Sequence, residues 1–211
     1  MYKFAAKYNV KHILTGANLS TECVRNPLEW MYFQSDARQL KAIHNKYGTR
    51  PLKTFPTTSI LWHKIWLPYV RKIKTERPLN LVNYNKTDAI NTLVEKFGFQ
   101  PYPQKHFESR FTKFYEGYWL YERFGFDVRK VQFSSLILTG QMTRDEALQA
   151  LQDLPYDAAK LDYEFEFIAN KLDIGTDELK SYFMLPKRTF GDFANQSLIY
   201  NAGSRIMRLA N

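Results

Sequence analysis

Three short stretches of the chain carry the side chains best suited to chemistry. The first is Thr15-Gly16-Ala17-Asn18-Leu19-Ser20-Thr21-Glu22, directly after the apolar run Lys11-His12-Ile13-Leu14. A buried strand that ends in glycine and small polar residues is where open α/β sheets take their ligands. Gly16 lets a phosphate or ribose approach the backbone, and Asn18, Thr21 and Glu22 supply donors and acceptors, so these four are nucleotide-binding candidates. The same residues also suit a plain turn with a helix cap at Ser20 or Thr21.

The second stretch is Lys105-His106-Phe107-Glu108-Ser109-Arg110, continuing through Thr112, Lys113 and Tyr115. On a helix starting at Glu108, the side chains of Glu108, Thr112 and Tyr115 share one face. Arg110 and Lys113 point elsewhere, free to hold phosphate oxygens. His106 is the side chain that titrates near neutral pH. Lys105, His106, Glu108, Ser109 and Arg110 are therefore candidates for phosphate or substrate binding. The third stretch interrupts an apolar segment with Asp127, Arg129, Lys130, Gln132 and Ser134 at the start of a helix. Free backbone N–H groups there favour an anion, and Arg129 can grip a carboxylate or phosphate with two parallel bonds. In both stretches the plain alternative is a capped helix with solvated charges.

Other chemistries find little footing. The four histidines (His12, His44, His63, His106) are scattered and Cys23 is the one cysteine, so no metal-ligand spacing emerges. No glycine-rich phosphate cradle of the GxxxxGK[ST] or GxGxxG kind is present. Thr139-Gly140-Gln141-Met142-Thr143-Arg144 reads as a turn between helices.

The elements that must position these stretches are mostly helices. Strands are expected at Lys11–Gly16 and Leu79–Tyr84. Helices are expected from Ser35-Asp36 to Tyr47, from Thr58-Ser59 to a kink or stop at Pro68, from Thr87-Asp88 to Gly98, and from Glu108 to Arg123. Further helices follow at 129–139, from a capping box at Thr143 and Glu146 to near Pro155, at 156–172, at 176–183 and at 193–209. The expected fold is mainly α with a small parallel β remnant.

Charge divides the chain. Residues 1–105 hold 17 Lys and Arg against 6 Asp and Glu, whereas residues 106–211 hold 13 against 15. The basic half attracts polyanions. The 45% hydrophobic content is ample for a packed core. No apolar run is long enough to span a bilayer, no signal peptide is evident, and a single thiol suits a reducing compartment, so a cytoplasmic location is expected.

The stretches KYNVKHILTGANLSTE, RPLNLVNYNKTDAI, KHFESRFTKFY and FGFDVRKVQFSSLILTGQMTRDEAL, in this order, resemble the N-acetyl sugar amidotransferases, a bacterial family that includes WbpG-type proteins of lipopolysaccharide O-antigen synthesis and PseA-type proteins of flagellar sugar synthesis. The resemblance covers roughly residues 1–160. It implies the C-terminal part of a PP-loop (adenine nucleotide α-hydrolase-like) α/β domain at 1–85, a helical substrate-side region at 86–160 and a helical extension at 161–211.

It also implies a reaction. ATP, with Mg, would adenylylate the oxygen of a sugar N-acetyl group, and ammonia would then displace AMP to leave an acetamidino sugar. The substrate would be a nucleotide-linked acetamido sugar, and a partner glutaminase would supply the ammonia. The family's SGGxDS phosphate loop is absent from this sequence. The resemblance therefore implies a truncated or split protein completed by an SGGxDS-bearing N-terminal half, and enzymatic activity of this chain alone is left open. Related sequences often read Asp-Lys-Arg and Ala-His where this one has Asp127-Val128-Arg129 and Val131-Gln132, which removes a positive charge and an imidazole.

Two other classes fit the composition. One is a basic helical nucleic-acid-binding protein, with nucleic acid the less favoured partner. The other is a non-catalytic remnant that docks on a partner through an exposed apolar face.

Overall fold

The computed structural model describes residues 1–102 and 105–209. The chain is mainly α with one small parallel sheet of two strands. Two compact units are separable, and both are discontinuous in sequence. The first unit comprises Met1–Thr15, Pro27–Glu76 and the segment from Lys187 onward; the second comprises Gly16–Asn26 and Arg77–Pro186.

The first unit is organised by its sheet. Strand β1 (His12–Leu14) pairs in parallel with β2 (Lys74–Glu76), with Ile13 opposite Thr75. Ile13, Ile73, Leu67 and Ala5 form a small apolar core, with Tyr2, Ala6 and Trp62 packed around it. The second strand therefore lies just ahead of the expected Leu79–Tyr84. Pro78, lacking an N–H and fixed in φ, instead opens a 3-10 turn over Pro78–Leu81. Lys74-Thr75-Glu76 has no apolar alternation, so pairing with β1 rather than side-chain pattern makes it a strand.

The helix over Trp62–Val70 also departs from expectation, because it runs through Pro68. It is π-wound, and Pro68, having no N–H, leaves the ladder short of one donor there. Ser59 starts it, its hydroxyl accepting from the Trp62 N–H at 3.3 Å. The helix Ala37–Tyr47 is capped by Asp36, as the sequence predicts, and the fully buried Asp36 carboxylate does more than cap. It accepts from the N–H groups of Arg38 (2.9 Å), Gln39 (3.0 Å) and Gln196 (2.6 Å) and from the Tyr32 hydroxyl (2.8 Å). Phe33 stacks on Tyr200 at 3.8 Å between ring centres, so the start of the last helix, Ser197–Leu209, is tied to the same spot.

In the second unit the core is Phe114, Phe165, Ile168, Ala169 and Leu179. These come from three helical segments: Lys113–Trp119, Leu161–Leu172 and Thr176–Met184. The expected helix from Glu108 begins instead at Arg110, capped by Ser109, and continues through the π-wound Lys113–Trp119 into Leu120–Phe124. Gly117 lies where an added Cβ would stand 2.9 Å from the Pro155 carbonyl oxygen, so only glycine lets the chain pass this close. Arg123 is buried and donates to the carbonyls of Tyr182, Phe183 and Leu185, closing the end of helix Thr176–Met184. The capping box of Thr143 and Glu146 forms as its spacing predicts. Among the described residues, no helix is long and apolar enough to cross a membrane.

Candidate functional site

A cavity of about 290 Å³ lies within the second unit, where three loop-to-helix junctions meet. The short helix Leu19–Glu22 contributes Thr21 and Glu22. Helix Lys86–Phe97 contributes Lys86, Ile90 and Leu93, which fall on one face by i+4 and i+3 spacing. Helix Arg129–Leu138 contributes Gln132, Phe133 and Leu136. The segment after Gly98 closes the remaining side with Phe99, Tyr102 and Lys105, and Tyr84 stands at the entry to the second helix. Gly98 makes this return possible by adopting φ +64°, a left-handed turn that ordinary side chains resist.

Hydrogen bonds fix the walls. The Asn18 carboxamide caps the short helix, accepting from the Thr21 N–H at 2.9 Å and hydroxyl at 3.1 Å, while its NH₂ donates to the Gly16 carbonyl at 3.2 Å. The Leu19 N–H donates to Asn80 at 2.8 Å. Gln141 joins two walls at once. Its carbonyl oxygen accepts from the Lys86 backbone N–H at 2.8 Å, and its NH₂ donates to the Ser20 carbonyl at 2.9 Å. The Thr139 hydroxyl donates to the same Ser20 carbonyl at 2.7 Å.

The cavity is basic and aromatic. Lys105 forms an ion pair with Glu22. Lys86 is half-buried and has no carboxylate partner among the described residues; burial lowers its pKa, and the neighbouring Lys105 charge lowers it further. Phe99 and Tyr102 meet edge to face at 5.8 Å. Such a site offers a phosphate the Lys86 ammonium, the Gln132 amide and, in exchange for its contact with Glu22, the Lys105 ammonium, beside an apolar wall for a ring.

Of the residues singled out in the sequence, Thr21, Glu22 and Lys105 are brought together here. Gly16 is exposed and Asn18 is buried as a cap, so both shape the loop rather than line the cavity. His106 adopts φ +68° and lies 3.5 Å from Glu116, outside the cavity wall. Glu108 is exposed, and Ser109 caps the helix that follows. Arg110 is engaged elsewhere: it pairs with Glu164 at 2.7 Å and stacks over the Phe167 ring at 3.8 Å.

The third stretch is also occupied internally. Arg129 is buried, paired with Asp127 at 2.7 Å, and donates to the carbonyls of Ala150 (3.2 Å) and Asp153 (2.8 Å). Lys130 is exposed, and the Ser134 hydroxyl bonds back to the Lys130 carbonyl at 2.6 Å.

Lys86 and Gln141 were not among the sequence candidates. Lys86 had a signal: a cation in the first turn of a helix opposes the helix dipole, an arrangement that invites a reason. Gln141 had none, because its two partners are distant in sequence.

Fold and site define a mainly α protein with a small parallel sheet and a basic, aromatic-walled cavity. Residues 108–207 match the family model described as LPS biosynthesis protein WbpG-like, C-terminal domain. The C-terminal portion of the chain is therefore WbpG-like. The match extends to residue 207, beyond the limit near residue 160 that the motifs suggested. No curated protein and no solved structure matches the chain.

Proposed function

We infer that this chain supplies the sugar-nucleotide-binding portion of an ATP-dependent N-acetyl sugar amidotransferase of surface-glycan synthesis. The observation that carries this reading is that Lys86, without a carboxylate partner among the described residues, and Lys105, paired with Glu22, line one cavity walled by Tyr84, Phe99, Tyr102 and Phe133. Two ammonium groups suit a diphosphate, whose charge each meets as a compact donor. The volume is near the lower end of small-ligand sites, roughly 300–1,000 Å³, and fits one ring with its adjoining phosphate rather than a whole sugar nucleotide. The half-buried Lys86 is the stronger phosphate ligand of the two, because an anion relieves both its desolvation and its repulsion by Lys105.

The residues of this chain do not fit a Mg–ATP site. The sequence has no glycine-rich cradle, and among the described residues no group of His, Cys, Asp and Glu suits a metal ion. Activation of the acetamido oxygen is accordingly assigned to an SGGxDS-bearing half, and ammonia to a partner glutaminase. This chain's part is to hold the sugar nucleotide and keep water from the apolar wall.

Calorimetric titration with a UDP-linked acetamido sugar tests the reading. Binding is expected, weakened roughly tenfold or more in the Lys86→Gln, Lys105→Gln double variant. Adding the SGGxDS-bearing half, ammonia and ATP should then release pyrophosphate in a sugar-dependent way. Absence of both binding and sugar-stimulated release overturns the reading.

A further inference from the structure

The first unit contains a second, larger feature that the reading above does not use. An open groove of about 530 Å³ runs between helix Tyr2–Lys7 and the π-wound helix Trp62–Val70. Three cations line it, Lys3, Lys7 and Arg71, and no carboxylate does. None of the three forms an ion pair with a carboxylate among the described residues. Like charges gathered around one groove repel one another, and an anion seated among them removes that repulsion.

The rest of the lining is as selective as the charge. Trp62 and Trp66, one turn apart, present nearly parallel indoles, with ring centres 5.8 Å apart at 22°. Trp62 is held firmly, because it packs on the core of Ala5, Ile13, Leu67 and Ile73 and takes the edge of Tyr2 at 6.2 Å. Arg71 is also fixed. Its guanidinium lies over the Trp66 ring at 5.3 Å and donates to the Ala6 carbonyl at 2.8 Å, which leaves further N–H groups for a ligand. Thr57, Thr58 and Ser59 add hydroxyls along one side. A π-wound segment is uncommon, and such segments recur at functional sites.

We propose that this groove is a ligand site for a phosphate ester carried on a ring, the phosphate held by Lys3, Lys7 and Arg71 and the ring laid against Trp62 and Trp66. Nucleotides and sugar phosphates share this chemistry, since a base stacks on an indole and a pyranose lays its C–H face on one. Charge alone would accept any small anion, whereas the indole pair selects for the ring. The groove is lined wholly by residues of the first unit, and the cavity of the second unit has no tryptophan in its wall.

Tryptophan fluorescence of the intact chain, titrated with UMP, glucose 1-phosphate and inorganic phosphate, tests the proposal. At least one of the two esters should quench the emission and bind roughly tenfold or more tightly than inorganic phosphate. Affinity should fall as salt rises. Whichever ester binds identifies the source of the ring. The Lys3→Gln, Lys7→Gln variant should weaken binding about tenfold, and Trp66→Leu should remove the preference for the ester over phosphate. All three substituted side chains are exposed, so circular dichroism of each variant should match the parent. Quenching should persist in the Lys86→Gln, Lys105→Gln variant, which keeps this site apart from the cavity whatever that cavity does. The proposal is overturned if no ester quenches, if inorganic phosphate binds as well as both esters, or if the groove variants bind like the parent.

Discussion

The side-chain oxygen of Gln141 accepts the backbone N–H of Lys86 at 2.8 Å, across 55 positions of sequence. The opposite end of the same amide holds Ser20. One side chain thus sets the spacing between the helix that offers Lys86 and the short helix that offers Thr21 and Glu22.

Replacing Gln141 with Leu should loosen both walls. It strands the part-buried Lys86 N–H and weakens the hold on the Ser20 carbonyl, at a cost of about 1 kcal/mol. A lowered melting temperature and a roughly tenfold weaker affinity for the UDP-linked sugar are expected. An unchanged affinity would show that the cavity does not depend on this bridge.

Lys86 predicts a pH dependence of binding. Burial, and then the Lys105 charge, hold its pKa below the ordinary lysine value, so as pH rises it loses its proton early. A bound phosphate favours the ammonium form and raises the pKa again. Binding should therefore take up protons in the alkaline range below the ordinary lysine value, and affinity should fall as pH rises through it. Calorimetry in two buffers of different ionisation enthalpy measures the uptake. In Lys86→Arg the charge persists, and the uptake should shrink.

The Asp127–Arg129 pair should matter to stability rather than to ligand affinity. Arg129→Met leaves a buried carboxylate without its guanidinium and is expected to cost about 3–5 kcal/mol, read as a lower urea midpoint. Replacing both residues with apolar ones should restore much of that loss. A single variant as stable as the parent would contradict the buried pairing.

Asp36 should make the first unit sensitive to acid. Burial pushes its pKa up, but hydrogen bonds from the Gln196 and Gln39 N–H groups, the Tyr32 hydroxyl and the Arg38 N–H outweigh burial and hold it below the ordinary 3.8. A carboxyl with a depressed folded pKa stabilises the fold above its unfolded value, and that stability is lost as pH falls through the folded value. Contact between the start of the last helix and residues 32–39 should therefore weaken in acid, below about pH 4. Hydrogen exchange at the Gln196 amide follows it, and Asp36→Asn should make exchange at neutral pH resemble that of the parent in acid.

Much of the helical layout was legible because its signals are local. Asp36 before Ala37–Tyr47, Gly98 after Lys86–Phe97, and the box of Thr143 and Glu146 each satisfy backbone groups within a few residues, so the sequence names them directly. The motifs likewise pointed to a WbpG-like protein, and the family match to residues 108–207 agrees. The failures were not local. β2 has no strand pattern of its own, and it exists because β1 lies beside it. Pro68 breaks an α-helix by rule, yet here a π-wound helix runs through it.

For function, the sequence by itself determined which residue types were on offer: basic and small polar side chains at three loop-to-helix junctions, concentrated in a cationic half. Only the tertiary structure decided which of them were left to act. Arg110, Asp127 and Arg129 have the chemistry of ligand-binding residues, but Glu164 and the backbone carbonyls near residue 150 claim Arg110 and Arg129 in turn. Lys86 reaches the cavity with no carboxylate partner among the described residues, Lys105 reaches it already paired with Glu22, and Lys3, Lys7 and Arg71 converge on a groove. The physical reason is that a charge is available to a ligand only if the fold has not already neutralised it, and its neutralising partner can come from anywhere in the chain.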